Sequence, residues 1–171
     1  METWIAPDVF DFESAEERTL DCMPMRVRLK LDLCGFKLSL AQWAALPMSV
    51  RRILLQIRCD TLVDIVWVGE YLRRVVEVHG LLELPVVQVD RAAWNDESPI
   101  PSSLVSTMTA LQLGTINEPA WRRLNDLQRF ALIKLSRPGH TRNLAAALHE
   151  FGLAQGAAAT PRFACSLAAM R

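Results

Sequence analysis

The side chains whose types could do chemistry in this 171-residue chain are its cysteines, its three histidines and one short run of basic residues. Cys22, Cys34 and Cys59 all fall in the first half, at the starts or ends of expected helices, so folding could gather them around a metal, an iron–sulfur cluster or a redox function. None of the four cysteines sits in a CxxC or CxxH pair, and their separations are far from zinc-finger spacing. A buried free cysteine also serves as a small hydrophobe, and that reading is favoured over any metal or cofactor. The second candidate is LIKLSRPGHTRN, residues 132–143, which joins two helical stretches and carries Lys134, Arg137, His140 and Arg142. With helix N–H groups opening after Thr141, this corner could receive an acidic loop or an anionic group of a partner. A solvated turn is the equal alternative. His79, His140 and His149 are scattered, and no Gly-rich phosphate loop, G-x-S-x-G elbow or H-E-x-x-H helix occurs, so no catalytic residue is assigned.

Composition narrows the partners. Lys+Arg and Asp+Glu both number 19, leaving no positive excess to meet a phosphate backbone, so nucleic acid is not expected. The chain is 51% hydrophobic, but charges and prolines interrupt every apolar run before it could span a membrane. The acidic start METWIAPDVFDFESAEER lacks the features of a signal peptide, which leads to the expectation of a cytoplasmic protein with reduced thiols.

The elements that would position these residues read as helices. Pro24 opens MRVRLKLDLC, which stops at Gly35. Ser39 and Gln42 form a capping box before a short helix with Trp43 and Leu46. Pro47 restarts the chain into a helix with Val50, Ile53, Leu54 and Ile57 at helical spacing, and Thr61 with Asp64 caps a long helix that ends near His79 and Gly80. Residues 1–13, with Trp4, Phe10 and Phe12, suggest an extended arm laid on the body. Residues 81–100 suggest an extended connector with a possible short strand at 86–89, and residues 156–171 a flexible tail.

An internal repeat organises these helices. SLAQWAALPMSVRRILLQI from Ser39 aligns without gaps to NEPAWRRLNDLQRFALIKL from Asn117, 78 positions later. Trp43 meets Trp121, Leu46 meets Leu124, Arg51 meets Arg129, Leu54 meets Leu132 and Ile57 meets Leu135. With two more residues inserted, Thr61 meets Thr141, Val68 meets Leu148 and Tyr71 meets Phe151. Cys34 and Cys59 have Leu113 and Arg137 at the corresponding places, so a thiol site would belong to one half. The expected fold is all-α, about eight short helices built as two copies of a four-helix unit packed pseudo-symmetrically. The domain would be single and span 1–155, with repeat one at about 24–80 and repeat two at about 101–153. Trp43 and Trp121 are expected in the core, and Arg51 and Arg129 are expected to bond carbonyls at neighbouring helix ends.

CMPMRVRLKLDLCGFKLSLAQW (residues 22–43), LNDLQRFALIKLSRPGHTRNLAAALHEFGL (residues 124–153) and the FDFE at 10–13 resemble the nitrate reductase-associated protein family. The resemblance implies an accessory role in producing active assimilatory nitrate reductase, a molybdoenzyme that also carries an iron–sulfur cluster. The role would be maturation, cofactor assembly or stabilisation through protein binding rather than catalysis, with nitrate reductase as the partner. The alternative is a metal, iron–sulfur or redox carrier using Cys22, Cys34 and Cys59. The family also has cysteines at these places. Neither the residues nor the resemblance fixes an oligomeric state.

Overall fold

The computed structural model describes residues 9–80, 94 and 99–153. The first eight residues of the arm, nearly all of the 81–100 connector and the expected tail lie outside the described residues. The fold is mostly helical, with nine α-helices and no strand element among the described residues. The chain divides into two compact units. Of the described residues, the first unit holds Val9 and residues 14–80, and the second holds Phe10–Glu13, Trp94 and residues 99–153.

In the first unit, α1 (Ala15–Arg18) leads into α2 (Met25–Leu33), α3 (Leu40–Ala45), α4 (Met48–Gln56) and α5 (Leu62–Val78). The short α1 was not among the expected helices. It exists because Ser14 and Glu17 close a capping box, with the Ser14 hydroxyl and backbone N–H both donating to the Glu17 carboxylate at 2.6 and 2.7 Å. The boundaries of α2 follow from Pro24 in front and from Gly35 behind, whose φ of 75° is a left-handed conformation that only glycine adopts without strain. Ser39 caps α3 and Thr61 caps α5, each with a reciprocal bond from its partner three residues on.

Helices α2, α4 and α5 enclose a core in which Trp43, Leu54, Leu55, Val68 and Leu72 are buried. The apolar spacing of α4 does not map directly onto this core, because Ile53 is exposed while both Leu54 and Leu55 are buried. The buried side of α4 is centred between those two leucines and Arg51, and at 100° per residue that places Ile53 on the opposite side. Leu20 is fully buried at a left-handed φ of 66°. Its carbonyl accepts from Trp43 Nε1 at 2.9 Å and Arg51 Nη1 at 3.0 Å, two bonds that hold an otherwise unfavourable backbone.

In the second unit, α6 (Ser102–Ala110), α7 (Glu118–Arg123) and α8 (Asp126–Leu135) precede a 3₁₀ turn (Thr141–Asn143) and α9 (Leu144–Glu150). Helices α3 and α7 have six residues each and start at Leu40 and Glu118, and α2 and α6 have nine each. The fourth helices differ, with 17 residues in α5 against seven in α9. Thr141 does not cap α9, contrary to the sequence expectation. Three residues after it stands the buried Leu144, which has no carboxylate to return to the Thr141 backbone, so the chain tightens into a 3₁₀ turn instead.

The strap Phe10–Glu13 completes this unit. Glu150, at the end of α9, accepts the Asp11 N–H at 2.9 Å and the Phe12 N–H at 2.8 Å. Phe10 and Phe12 stack on each other and meet the Phe151 ring edge-on.

Candidate functional site

Cys34 and Cys59 converge at one end of the first unit. Cys34 is the C-cap of α2, and Cys59 lies in the turn between α4 and α5. The Cys34 thiol lies within hydrogen-bonding reach of the Ile65 carbonyl, at 3.4 Å, and of the Cys59 thiol. One turn before Cys34, Lys30 is buried, and its Nζ donates to the carbonyls of Leu54 and Leu55 at 3.0 and 2.6 Å. Those carbonyls close α4, where the helix dipole favours a cation.

The hydrogen bond from Cys34 holds the Cys59 thiol below the ordinary cysteine range. Burial opposes it, the Lys30 ammonium assists, and the Asp64 and Asp60 carboxylates oppose it more weakly. Cys22 does not join this pair as part of a metal cage. It precedes the amino end of α2 while Cys34 follows the carboxyl end, so the nine residues of the helix, about 14 Å of rise, run between them. Among the described residues, no group of three or more His, Cys, Asp and Glu side chains could hold a metal ion.

A second feature lies on α5, and the sequence reading missed it. The outward side of its first two turns carries Leu62, Val63, Val66 and Trp67, with Leu62 72% and Trp67 71% exposed. Farther along the same side come Glu70, Arg73, Arg74 and Glu77, so the apolar patch ends where the charges begin. Four large apolar side chains thus adjoin on one exposed helical surface. The helical period of 62, 63, 66 and 67 was legible in the sequence. What hid it was that α5 is apolar on both sides, with Val68, Leu72 and Val75 supplying the core.

In the second unit, the basic corner separates into two environments. Lys134 stands over the Phe130 ring, its Nζ 4.9 Å from the centroid. Arg137, His140 and Arg142 are exposed on the turn after α8, where Gly139 takes a φ of 82° and the His140 N–H donates to the Arg137 carbonyl at 3.0 Å. The two tryptophans and two arginines that the sequence alignment paired are interior or tie-forming. Trp43 and Trp121 are fully buried. Arg51 donates to the carbonyls of Ala44, Leu46 and Leu20. Arg129, only 2% exposed, donates to the carbonyls of Trp94 and Trp121 and to the Asp126 carboxylate.

The model of the conserved nitrate reductase-associated protein family matches residues 9–151. The chain belongs to that family. The match takes in both compact units, from the strap through α9, so family membership covers the thiol pair, the α5 patch and the basic corner alike. The family description names association with nitrate reductase and no reaction of its own. Comparison with curated proteins and with solved structures gives no match to this member of the family. Among the described residues, no helix is long and apolar enough to cross a membrane.

Proposed function

We propose that this nitrate reductase-associated protein is an accessory factor for assimilatory nitrate reductase, acting by protein binding in maturation, cofactor assembly or stabilisation of that enzyme. Family membership over residues 9–151 is the observation that carries this reading. The apolar patch on α5 supplies a surface of the right chemistry. Trp67 is the rigid aromatic anchor typical of binding hot spots, and the charges following it along α5 would form a polar rim. The Arg137, His140 and Arg142 turn, with Lys134 beside it, is a second contact suited to an acidic segment of the same partner. The recurrence of caps, buried tryptophans and carbonyl-binding arginines supports two copies of one helical unit. On this reading the copies have diverged at their fourth helices, one of which bears the patch. Residence in the cytoplasm, beside an assimilatory enzyme, belongs to the same proposal.

The test is capture of purified apo and cofactor-loaded nitrate reductase by the tagged protein, by wild type, by Trp67→Asp and by a Lys134→Ala, Arg137→Ala, His140→Ala triple variant. Retention of either enzyme form by wild type and a loss of at least about tenfold with Trp67→Asp is expected, the usual scale for a hot-spot residue. Preference for the apo form would point to maturation, and preference for the loaded form to stabilisation. If wild type retains neither form, the accessory reading fails. If only the triple variant loses capture, the contact lies at the basic corner and the patch assignment fails.

A further inference from the structure

We propose that Cys34 and Cys59 are a redox-active dithiol, which reduces a low-molecular-weight disulfide and is itself closed to an intramolecular disulfide. The proposal goes beyond the accessory role and does not depend on it.

The two thiols are brought together from separate elements, the end of α2 and the turn between α4 and α5, where Cys34 packs against the core that contains Cys59 and lies 3.4 Å from the Ile65 carbonyl. Neighbouring thiols on a helix end and on a turn can be joined by movement of the turn, whereas cysteines at opposite ends of a helix cannot be joined without unfolding it. That restricts the pair to Cys34 and Cys59 and leaves Cys22 out. Access is unequal in a useful way, because Cys34 is half-buried and Cys59 is buried. A small disulfide R–S–S–R therefore meets Cys34 first. The Cys34 sulfur attacks one sulfur of R–S–S–R, giving the mixed disulfide Cys34–S–S–R and releasing R–S⁻, which takes up the Cys34 proton. The Cys59 thiol then gives up its proton and attacks the Cys34 sulfur as the thiolate, forming the Cys34–Cys59 bond and releasing the second R–S⁻, which takes up that proton. The two protein thiols lose two electrons and two protons, and the small disulfide gains both.

The surroundings favour the second step. Lys30 fixes an ammonium group beside the pair, where its charge supports the Cys59 thiolate, and burial keeps competing solvent thiols from the resolving sulfur. Closing the bond also withdraws the Cys34 thiol from the Ile65 carbonyl in the first turn of α5, the helix that bears the exposed patch.

The experiment uses the full chain, equilibrated with glutathione and glutathione disulfide over a range of ratios, acid-quenched, alkylated and mapped by peptide mass spectrometry. The expected result is loss of two alkylatable thiols, a mass about 2 Da lower and a single linked peptide pair containing Cys34 and Cys59. The change should reverse with excess glutathione and persist in Cys22→Ser. Cys34→Ser is expected to form no internal disulfide, and Cys59→Ser to stop at the glutathione adduct on Cys34. The wild-type map requires no variant to fold. Retention of all four thiols at the most oxidising ratio overturns the proposal, as does a link involving Cys22 or Cys165.

Discussion

Asp64 shows how a single surface residue can tie stability to pH in this chain. Its carboxylate accepts the Thr61 N–H at 2.9 Å while the Thr61 hydroxyl accepts the Asp64 N–H at 3.1 Å, closing the cap of α5. The backbone bond from Thr61, followed by its side-chain bond, holds Asp64 below the ordinary carboxylate range. A carboxylate lowered in the folded state stabilises the fold fully above its unfolded pKa, and the contribution is lost as pH falls through the folded value. The cap of α5 should therefore loosen only in acid below the ordinary aspartate range and be insensitive to pH near neutrality. Carbon-detected NMR titration of the Asp64 carboxyl reads this directly, with Thr61→Ala expected to move the midpoint upward. An unmoved midpoint would show that the hydroxyl plays no part. This cap was legible in the sequence because a Thr three residues before an Asp is a local signal. The Cys34, Cys59 and Lys30 grouping was not. Its members come from α2 and from the turn after α4, and only the packing of those elements could say that Cys59 would meet Cys34 and not Cys22.

At the scale of elements, Arg51 and Arg129 separate by their burial. Arg51 and Arg129 stand 78 positions apart at aligned places in the sequence, and each reaches a carbonyl upstream of its unit's nine-residue helix, Leu20 before α2 and Trp94 before α6. Arg129 is the more deeply buried and also pairs with Asp126. Arg129→Ala would strand the buried Trp94 carbonyl and leave a cavity where its buried side chain stood, at a cost of about 3 kcal/mol. Arg51→Ala, with water able to reach its site, should cost about 1 kcal/mol. Lysine should rescue neither fully, since one ammonium cannot reproduce the fork of a guanidinium that serves three acceptors. Urea denaturation of the four variants checks the order. Equal losses at the two positions would mean that burial does not set the cost. Caps, helix starts and the glycine stop after α2 were readable along the chain because each depends on residues within one turn. The length of α9, the outward turn of Ile53 and the second exposed side of α5 depend on what each helix packs against, which no local window contains.

For the whole molecule, the strap makes the second unit discontinuous in sequence. Residues 10–13 belong with α9, about 140 residues away along the chain, through the carboxylate of Glu150 and the ring of Phe151. Glu150→Ala removes the acceptor of two backbone N–H groups and should raise amide hydrogen exchange at Asp11 and Phe12 by about tenfold or more while leaving the α2 and α4 amides unchanged. A uniform rise across both units would instead mean that the strap supports the fold as a whole. The same carboxylate also orders events during synthesis. Glu150 is made 139 residues after Asp11, so at roughly 5–20 residues per second the strap waits on the order of 10 s for its acceptor. Over that interval Phe10 and Phe12 lack the Phe151 ring on which they pack, and the strap can close on α9 only after both units' intervening helices have been made.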